Sequence, residues 1–159
     1  MESPHDNRFS SQYLNLAEER LGSVVLATTD DFFAEKENII KPGRGIFIPD
    51  KFTDDGKWMD GWESRRKRIP GHDWCSIRLG APGKIRALDI DTNHFTGNFP
   101  PFASLEACEI TGDPNDATEW TELLAKSPLT GTSQNFFEVS SDQRWTHVRL
   151  HIYPDGGVA

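Results

Sequence analysis

The sequence predicts an all-β fold, a β-sandwich or jelly roll with long loops and one or two short helices. Thirteen glycines and ten prolines divide the 159-residue chain into many short apolar segments, which is the pattern of strands joined by turns. With 36% hydrophobic residues, a chain of this length can bury one core. We therefore expect a single domain over residues 13–159, after a polar, disordered segment at residues 1–12.

The individual elements follow from local signals. We expect a short amphipathic helix at residues 14–21, closed by Gly22, and a second helix at residues 116–125, capped by Asp116 or Thr118. Six strands are predicted, each bounded by Gly, Pro, Asp or Asn: residues 24–28, 74–79, 85–91, 104–110, 135–138 and 145–153.

The clearest two-residue period runs through residues 146–153. One face is aliphatic and is expected to meet the core: Val148, Leu150 and Ile152. The alternate positions form a polar, exposed face: His147, Arg149, His151 and Tyr153. This strand is therefore expected to lie with one side on the core and the other in solvent.

The same alternation in residues 85–91 points toward a site. It buries Leu88 and Ile90 and places Asp89 and Asp91 on the opposite face, just before a loop that contains His94. Two carboxylates and an imidazole are thus expected to meet at one strand end.

The chain is acidic overall but has one basic segment. Its formal net charge is -8 and its pI is about 5.0, which argues against a nucleic-acid partner. Five of its 17 Lys and Arg residues lie in residues 56–68, beside Trp58 and Trp62. Such clustered cations suit a carboxylate-bearing ligand or internal acids. The segment predicts an anion site.

The cysteines and the hydropathy indicate an intracellular protein. Cys75 and Cys108 each lie in an apolar stretch and not in a C-x-x-C spacing, so we expect buried free thiols and a reducing compartment. No apolar run approaches the roughly 20 residues that span a bilayer, and residues 1–11 lack a signal-peptide core. The expected location is cytoplasmic, with no membrane partner.

Five segments resemble one enzyme family. They are ATTDDFFA at residues 27–34, GWESRRKR at 61–68, HDWC at 72–75, DIDTNHFTGN at 89–98 and YPDGG at 153–157. Together they closely resemble allantoicase, the allantoate amidinohydrolase of purine breakdown, from about residue 15 to residue 159. Several long motifs in the same order are far more specific than one short pattern.

The resemblance implies a fold and an activity. Allantoicases consist of two homologous repeats, each a jelly-roll sandwich of the galactose-binding type, and this chain resembles the first repeat, with an apparent truncation at its C-terminus. The implied reaction is the hydrolysis of allantoate to ureidoglycolate and urea in allantoin catabolism. The implied partners are a small anionic ureido substrate and further copies of the same chain in a homo-oligomer; a peroxisomal location is implied in some eukaryotes.

The candidate site residues are those whose chemistry suits such a substrate. The candidates for the general base are Glu63 and Asp91, and the candidates for the acid are His94 and His72. The substrate-binding candidates are Arg65, Arg66, Arg149, Trp62 and Asn98. For Glu63 a structural ion pair is the alternative, and for Trp62 the alternative is a packing role.

Two further interpretations are kept open. Imidazole and carboxylate groups suit a divalent metal such as manganese, for which His72, Asp73, Asp91 and His94 are weak candidates without a diagnostic spacing. The chain could also be a non-catalytic small-ligand-binding sandwich, or an inactive half of a two-repeat enzyme whose site forms between repeats or subunits.

Overall fold

A computed structural model describes residues 6–159 and is built almost entirely of strands. Two short 3-10 helices, Glu19–Leu21 and Lys36–Ile40, flank the first strand. The strands are β1 (Val24–Thr28), β2 (Phe52–Thr53), β3 (Gly56–Lys57), β4 (Trp62–Glu63), β5 (Asp73–Lys84), β6 (Ala87–Asp91), β7 (Phe102–Cys108), β8 (Thr121–Pro128), β9 (Gln134–Glu138), β10 (Arg144–Tyr153) and β11 (Gly157–Val158).

The main layer is an antiparallel sheet of five strands in the order β1-β5-β10-β7-β8. Three two-stranded pairs complete the fold: β6 with β9, β4 with β11, and β2 with β3. The core lies between the main sheet and the first two of these pairs, because it joins Leu150 of β10 to Ile90 of β6 and Trp62 of β4. This two-layer arrangement confirms the predicted all-β sandwich.

The alternation in β10 is confirmed on the core face and is wrong at one position of the other face. Val148 and Leu150 are each 5% exposed, and Ile152 is fully buried. His147, predicted to be exposed, is only 2% exposed. Its buried ring has polar neighbours: Nδ1 lies 2.8 Å from the Thr146 hydroxyl, and a carboxylate oxygen of Asp113 lies 3.7 Å from Nε2. Burial lowers the pKa of His147.

The two helix predictions fare differently. Within residues 14–21 only Glu19–Leu21 is helical, as a 3-10 turn, and Gly22 follows it at a φ of 107°, the left-handed conformation expected after a helix. The second prediction is wrong, since residues 121–128 form β8, where Leu124 pairs with Leu105 of β7. Pairing with a neighbouring strand overrides the local helix signal there.

The six predicted strands are all present. β1 has the predicted bounds, and the other five begin or end at different residues. Strands β2, β3, β4 and β11 were not predicted, because two residues carry no period. Of the segment expected to be disordered, residues 1–5 lie outside the described residues. Residues 6–12 instead form turns, with the ring of Phe9 packed edge-on against Phe136 at 4.9 Å.

The remaining global expectations concern thiols and membranes. Cys75 and Cys108 are free and buried, as predicted, and burial raises the pKa of Cys75 to about 12. Across residues 6–159, no helix has the length and apolar character to cross a membrane.

The core assignment makes a direct prediction. Leu150→Ala should lower the free energy of unfolding by about 2–5 kcal/mol, because it removes buried methyl groups and leaves a cavity. The matched control is Leu14→Ala, since Leu14 is 69% exposed and its loss should cost less than about 0.5 kcal/mol. Urea unfolding followed by circular dichroism measures both. Equal losses in the two variants would contradict the assigned core.

Candidate active site

A cleft of about 430 Å³ opens beside β4. Its polar lining comes from the basic segment, from the loop after β6 and from the turn after β10: Glu63, Ser64, Arg66, Lys67, Asn98 and Asp155. A second cleft of about 450 Å³ adjoins it, since Pro101 and Pro154 line both. The cleft around Glu63 is called the Glu63 cleft below, and its neighbour the His72 cleft.

Glu63 is held between three segments of chain. Its N–H donates to the Ala34 carbonyl at 3.1 Å, and its own carbonyl accepts from Phe33 at 3.2 Å. On the other side it pairs with Gly157 of β11. Asn98 then donates from Nδ2 to the Glu63 carboxylate at 2.8 Å. The carboxyl group is therefore fixed at the wall of the cleft.

The close pairing of β4 with β11 depends on glycine at two positions. A Cβ atom on Gly157 would overlap the buried ring of Phe95, and one on Gly61 would lie 2.5 Å from the Val158 carbonyl oxygen. Gly157 also donates from N–H to the Asn98 carbonyl at 2.8 Å. The strand that carries Glu63 and the loop that carries Asn98 are thus both docked on Gly157.

The environment of Glu63 favours its protonated form. Burial raises the pKa of Glu63, and the hydrogen bond from Asn98 opposes this only in part. None of the ion pairs found among residues 6–159 involves Glu63, so the structural ion pair considered for it is not what holds it. A carboxyl group with a raised pKa in a cleft is suited to acid–base chemistry.

The basic segment divides between the cleft and its surroundings. Arg66 and Lys67 line the Glu63 cleft. Arg65 is turned elsewhere, with Nε donating to Asp30 at 2.8 Å and its guanidinium over the ring of Phe32 at 4.9 Å. Of the two arginines of this segment that were predicted to bind an anion, Arg66 therefore lines the cleft and Arg65 forms an ion pair.

Lys67 belongs to the predicted basic segment but was not singled out as a binding residue. Its side chain and backbone are both held by carboxylates. Its Nζ lies 3.2 Å from a carboxylate oxygen of Asp73, a residue with no exposed surface. Its N–H donates to Asp155 at 2.8 Å. The buried Asp73 thus holds the ammonium group in place next to the Glu63 cleft.

Trp62 is enclosed in the core and cannot touch a ligand. Its side chain is fully buried, and Nε1 donates to the Asp30 carbonyl at 2.8 Å. The prediction of a substrate contact is corrected, and the packing role weighed for this residue is the one observed.

Asp91 and His94 lie outside the residues that line either cleft. The Asp91 carboxylate accepts from Arg44 at 2.7 and 3.0 Å in a pair whose side chains are 10% and 11% exposed. His94 has a φ of 70° and stacks on Phe47 with ring centroids 5.6 Å apart. At the end of this strand the Asp91 carboxylate therefore forms a buried ion pair with Arg44. The catalytic role of Asp91 stays a prediction.

His72 and Arg149 belong to the second cleft and the sheet face beside it. His72 lines the His72 cleft with Lys126 and Tyr153. The guanidinium of Arg149 lies over Trp120 at 4.4 Å, and its Nε donates to Glu106 at 2.6 Å. Arg149 is therefore already paired and does not line the Glu63 cleft.

The metal candidates do not form a coordination set. Within residues 6–159, no three or more His, Cys, Asp or Glu side chains are grouped to hold a metal ion. Asp73 and Asp91 instead each face a basic side chain, Lys67 and Arg44. The donors proposed from sequence, His72, Asp73, Asp91 and His94, thus do not fit a divalent ion such as manganese.

Comparison with known proteins identifies the family. Residues 14–159 match the family model described as Allantoicase repeat. The chain belongs to the allantoicase family. It is 49% identical to "Probable allantoicase 1" of Burkholderia mallei, in a match that covers 100% of this chain and 48% of that relative.

Solved structures agree with this allantoicase assignment. The crystal structure of allantoicase from Saccharomyces cerevisiae is 37% identical, with a TM-score of 0.76, and the match covers 91% of this chain and 41% of that one. CBM32-3 from a family 31 glycoside hydrolase of Clostridium perfringens has a TM-score of 0.64 at 12% identity, covering 98% of this chain and 94% of that one. The second likeness shows the fold alone, a galactose-binding-like sandwich.

The allantoicase-family chain spans about half the length of the curated relatives it matches. The residues that sequence reasoning missed are of two kinds. Ser64, Lys67 and Asp155 lie in segments 61–68 and 153–157, so the resemblance marked their neighbourhood. Glu106 and Lys126 carried no signal, because only the sheet brings them to the cleft and its surroundings.

The raised pKa of Glu63 predicts how its replacement affects stability. Wild-type protein should lose stability as the pH rises from the ordinary carboxyl pKa near 4.5 through the higher folded-state pKa, because ionisation is unfavourable in the fold. Glu63→Gln keeps the neutral shape and an acceptor for Asn98. Its melting temperature should exceed that of wild type at pH 8 and match it at about pH 4. A lower melting temperature for Glu63→Gln at pH 8 would contradict the assigned environment.

Proposed function

We propose that this chain is the repeat of an allantoicase that binds allantoate and takes part in its hydrolysis to ureidoglycolate and urea, in allantoin catabolism. The carrying observation is the Glu63 cleft, which lies within the region matched by the family model. It combines a half-buried acid of raised pKa with two cations and an amide.

The lining of the cleft suits a ureido acid. The guanidinium of Arg66 and the ammonium of Lys67 suit the substrate carboxylate. Asn98 offers an amide group in the lining, and Asp155 offers a carboxylate to ureido N–H groups. A sugar-binding module, the alternative class, would instead need aromatic platforms and few clustered cations.

Because its pKa is raised, we assign Glu63 as the acid of the reaction, in place of the base role expected from the sequence. The bond from the central carbon to one ureido nitrogen breaks, and the departing nitrogen takes the Glu63 proton to complete urea. The central carbon gains a hydroxyl group from water, whose other proton goes to a base. Glu63, left as a carboxylate, regains a proton from solvent after the products leave. A raised pKa suits this role because it increases the fraction of Glu63 that carries the proton at a given pH.

Two expectations from the resemblance extend this proposal. A homo-oligomer of the whole protein stays a prediction. The buried free thiols Cys75 and Cys108 fit a reducing compartment such as the cytoplasm.

The activity is tested by incubating the chain with allantoate and following urea and ureidoglycolate by NMR. We expect turnover that falls about 100-fold or more in Glu63→Gln, since the amide cannot deliver a proton. Glu138→Gln is the matched control, because Glu138 lies exposed on β9; its rate should equal that of wild type.

Unchanged turnover in Glu63→Gln would overturn the assignment of Glu63 as the acid. Allantoate binding without any turnover would instead support the inactive-half interpretation, in which this repeat supplies only part of a site completed by a second repeat or subunit.

The division of the basic segment gives a separate prediction. Arg66→Ala should weaken allantoate binding about tenfold, the value of one charged hydrogen bond. Arg65→Ala should weaken it less, because Arg65 is paired with Asp30. Isothermal titration of both variants measures the difference. A larger loss for Arg65→Ala would mean that the loop binds its ligand on the other side.

A further inference from the structure

A chain of hydrogen bonds crosses the polar face of the main sheet and ends at the His72 cleft. Oε1 of Glu106 on β7 lies 2.7 Å from Nε2 of His151 on β10. Nδ1 of His151 in turn lies 2.8 Å from Nε2 of His72. Three side chains from three separate segments are thus aligned from the middle of the sheet to the cleft wall.

The proton positions in this chain follow from its inner end. Glu106 also accepts from Nε of Arg149 at 2.6 Å. Burial by itself raises the pKa of Glu106, but hydrogen bonds from His151 and Arg149 outweigh it and lower the pKa. An ionised carboxylate only accepts hydrogen bonds. A neutral His151 must therefore carry its proton on Nε2, which leaves Nδ1 as the acceptor for the Nε2 proton of a neutral His72.

The structure keeps this arrangement rigid. Arg149, which holds Glu106, lies over Trp120 at 4.4 Å and over Trp74 at 5.1 Å. At the other end, the ring of His72 packs on Tyr153 with centroids 4.4 Å apart. The ring of His151 stacks on Tyr153 as well, with centroids 6.4 Å apart. Both imidazole rings are thus held by packing, which a chance approach of two surface histidines would not require.

We propose that Glu106 and His151 are positioning residues that fix the tautomer of His72, and that Nδ1 of His72 is the proton-accepting atom of the His72 cleft. In the described part of the chain His72 has no other hydrogen bond, so Nδ1 is the nitrogen that meets a ligand. A proton taken there displaces the Nε2 proton onto His151, and the positive charge then rests beside Glu106.

The surroundings of His72 decide its charge before the ligand arrives. The groups that act on it are Asp73, Lys67, Lys126 and His151. Burial lowers the pKa of His72, and His151, Lys67 and Lys126 add to this, while Asp73 opposes it. His72 is therefore neutral at neutral pH, the form in which Nδ1 can accept a proton.

The ligand class follows from the cleft and rests on the proposed function. The ammonium of Lys126 lies 4.7 Å from the centroid of the Tyr153 ring, so the His72 cleft pairs a cation with a proton acceptor. That combination suits a ureido acid, through its carboxylate and its N–H groups or the water that attacks it. Because Pro101 and Pro154 line both clefts, the acid Glu63 and the base His72 lie in adjoining parts of the surface.

The test is long-range proton–nitrogen NMR of the imidazoles at pH 8 in the uniformly labelled chain, assigned with single histidine variants. We expect His72 and His151 each to be protonated on Nε2 alone. Protonation of His72 on Nδ1, or a free mixture of tautomers in either ring, would overturn the proposal. This readout needs no turnover, and the histidine variants serve only to assign the signals.

Glu106→Gln provides the second arm. It should give His151 a mixture of tautomers and lower the turnover number about tenfold or more with little change in KM. The matched control is Glu109→Gln, which also removes a carboxylate paired with an arginine, Arg144. It should leave both tautomers and the rate unchanged. Unchanged tautomers in Glu106→Gln would also overturn the proposal.

Its failure can be told apart from failure of the proposed function. If Glu63→Gln loses turnover while the tautomers of His72 and His151 are unrestrained, only the proposed relay from His72 through His151 to Glu106 is wrong. If the tautomers are fixed while Glu63→Gln remains fully active, the relay stands and the assignment of Glu63 is wrong.

Discussion

The pairing of β11 with β4 is the constraint on which the candidate site depends. Gly157 brings the two strands together because it has no side chain to meet Phe95, and the same residue holds Asn98 through a backbone hydrogen bond. Ser64 adds a second link, accepting Gly156 on its hydroxyl at 3.2 Å. Three segments of the chain, which carry Ser64, Asn98 and Gly156, are thereby joined at one wall of the cleft.

This constraint explains the chemistry of the wall. Because Glu63 sits on a strand packed from both sides, its carboxyl group loses water and favours the protonated form. His72, on the other side of Pro154, is pushed toward its neutral form by burial. An environment that raises the pKa of an acid and one that lowers the pKa of a base together suit a reaction with two proton transfers. The fold thus places the two groups in environments that shift their pKa values in opposite directions.

Sequence reasoning predicted the fold, and it singled out residues that line the Glu63 cleft, for physical reasons. The alternation in β10 was readable because each residue faces one side of a half-buried sheet. Glu63 and Arg66 stood out because they lie within one basic segment. The region of residues 121–128 was misread, because its strand is formed by pairing with β7 and not by a local preference.

Other features could not have been found from spacing. Glu106 and His151 are separated by 45 positions, and only strand register makes them neighbours. The same holds for the partner of Arg65, since loop conformation decides whether it faces Asp30 or the cleft. The residue type and position of Asp91 suggested a catalytic role. Spacing gave no sign of its ion pair with Arg44, which lies 47 positions away along the chain.

The most direct test of this account is the carboxyl carbon-13 titration of Glu63 in the wild-type chain and in Gly157→Ala. The account predicts a midpoint above the ordinary glutamate value of 4.5 in wild type, and a shift toward that value when the added methyl group loosens the packing of β11 on β4. A wild-type midpoint at or below 4.5 would contradict it, because Glu63 would then be no more than a solvated carboxylate.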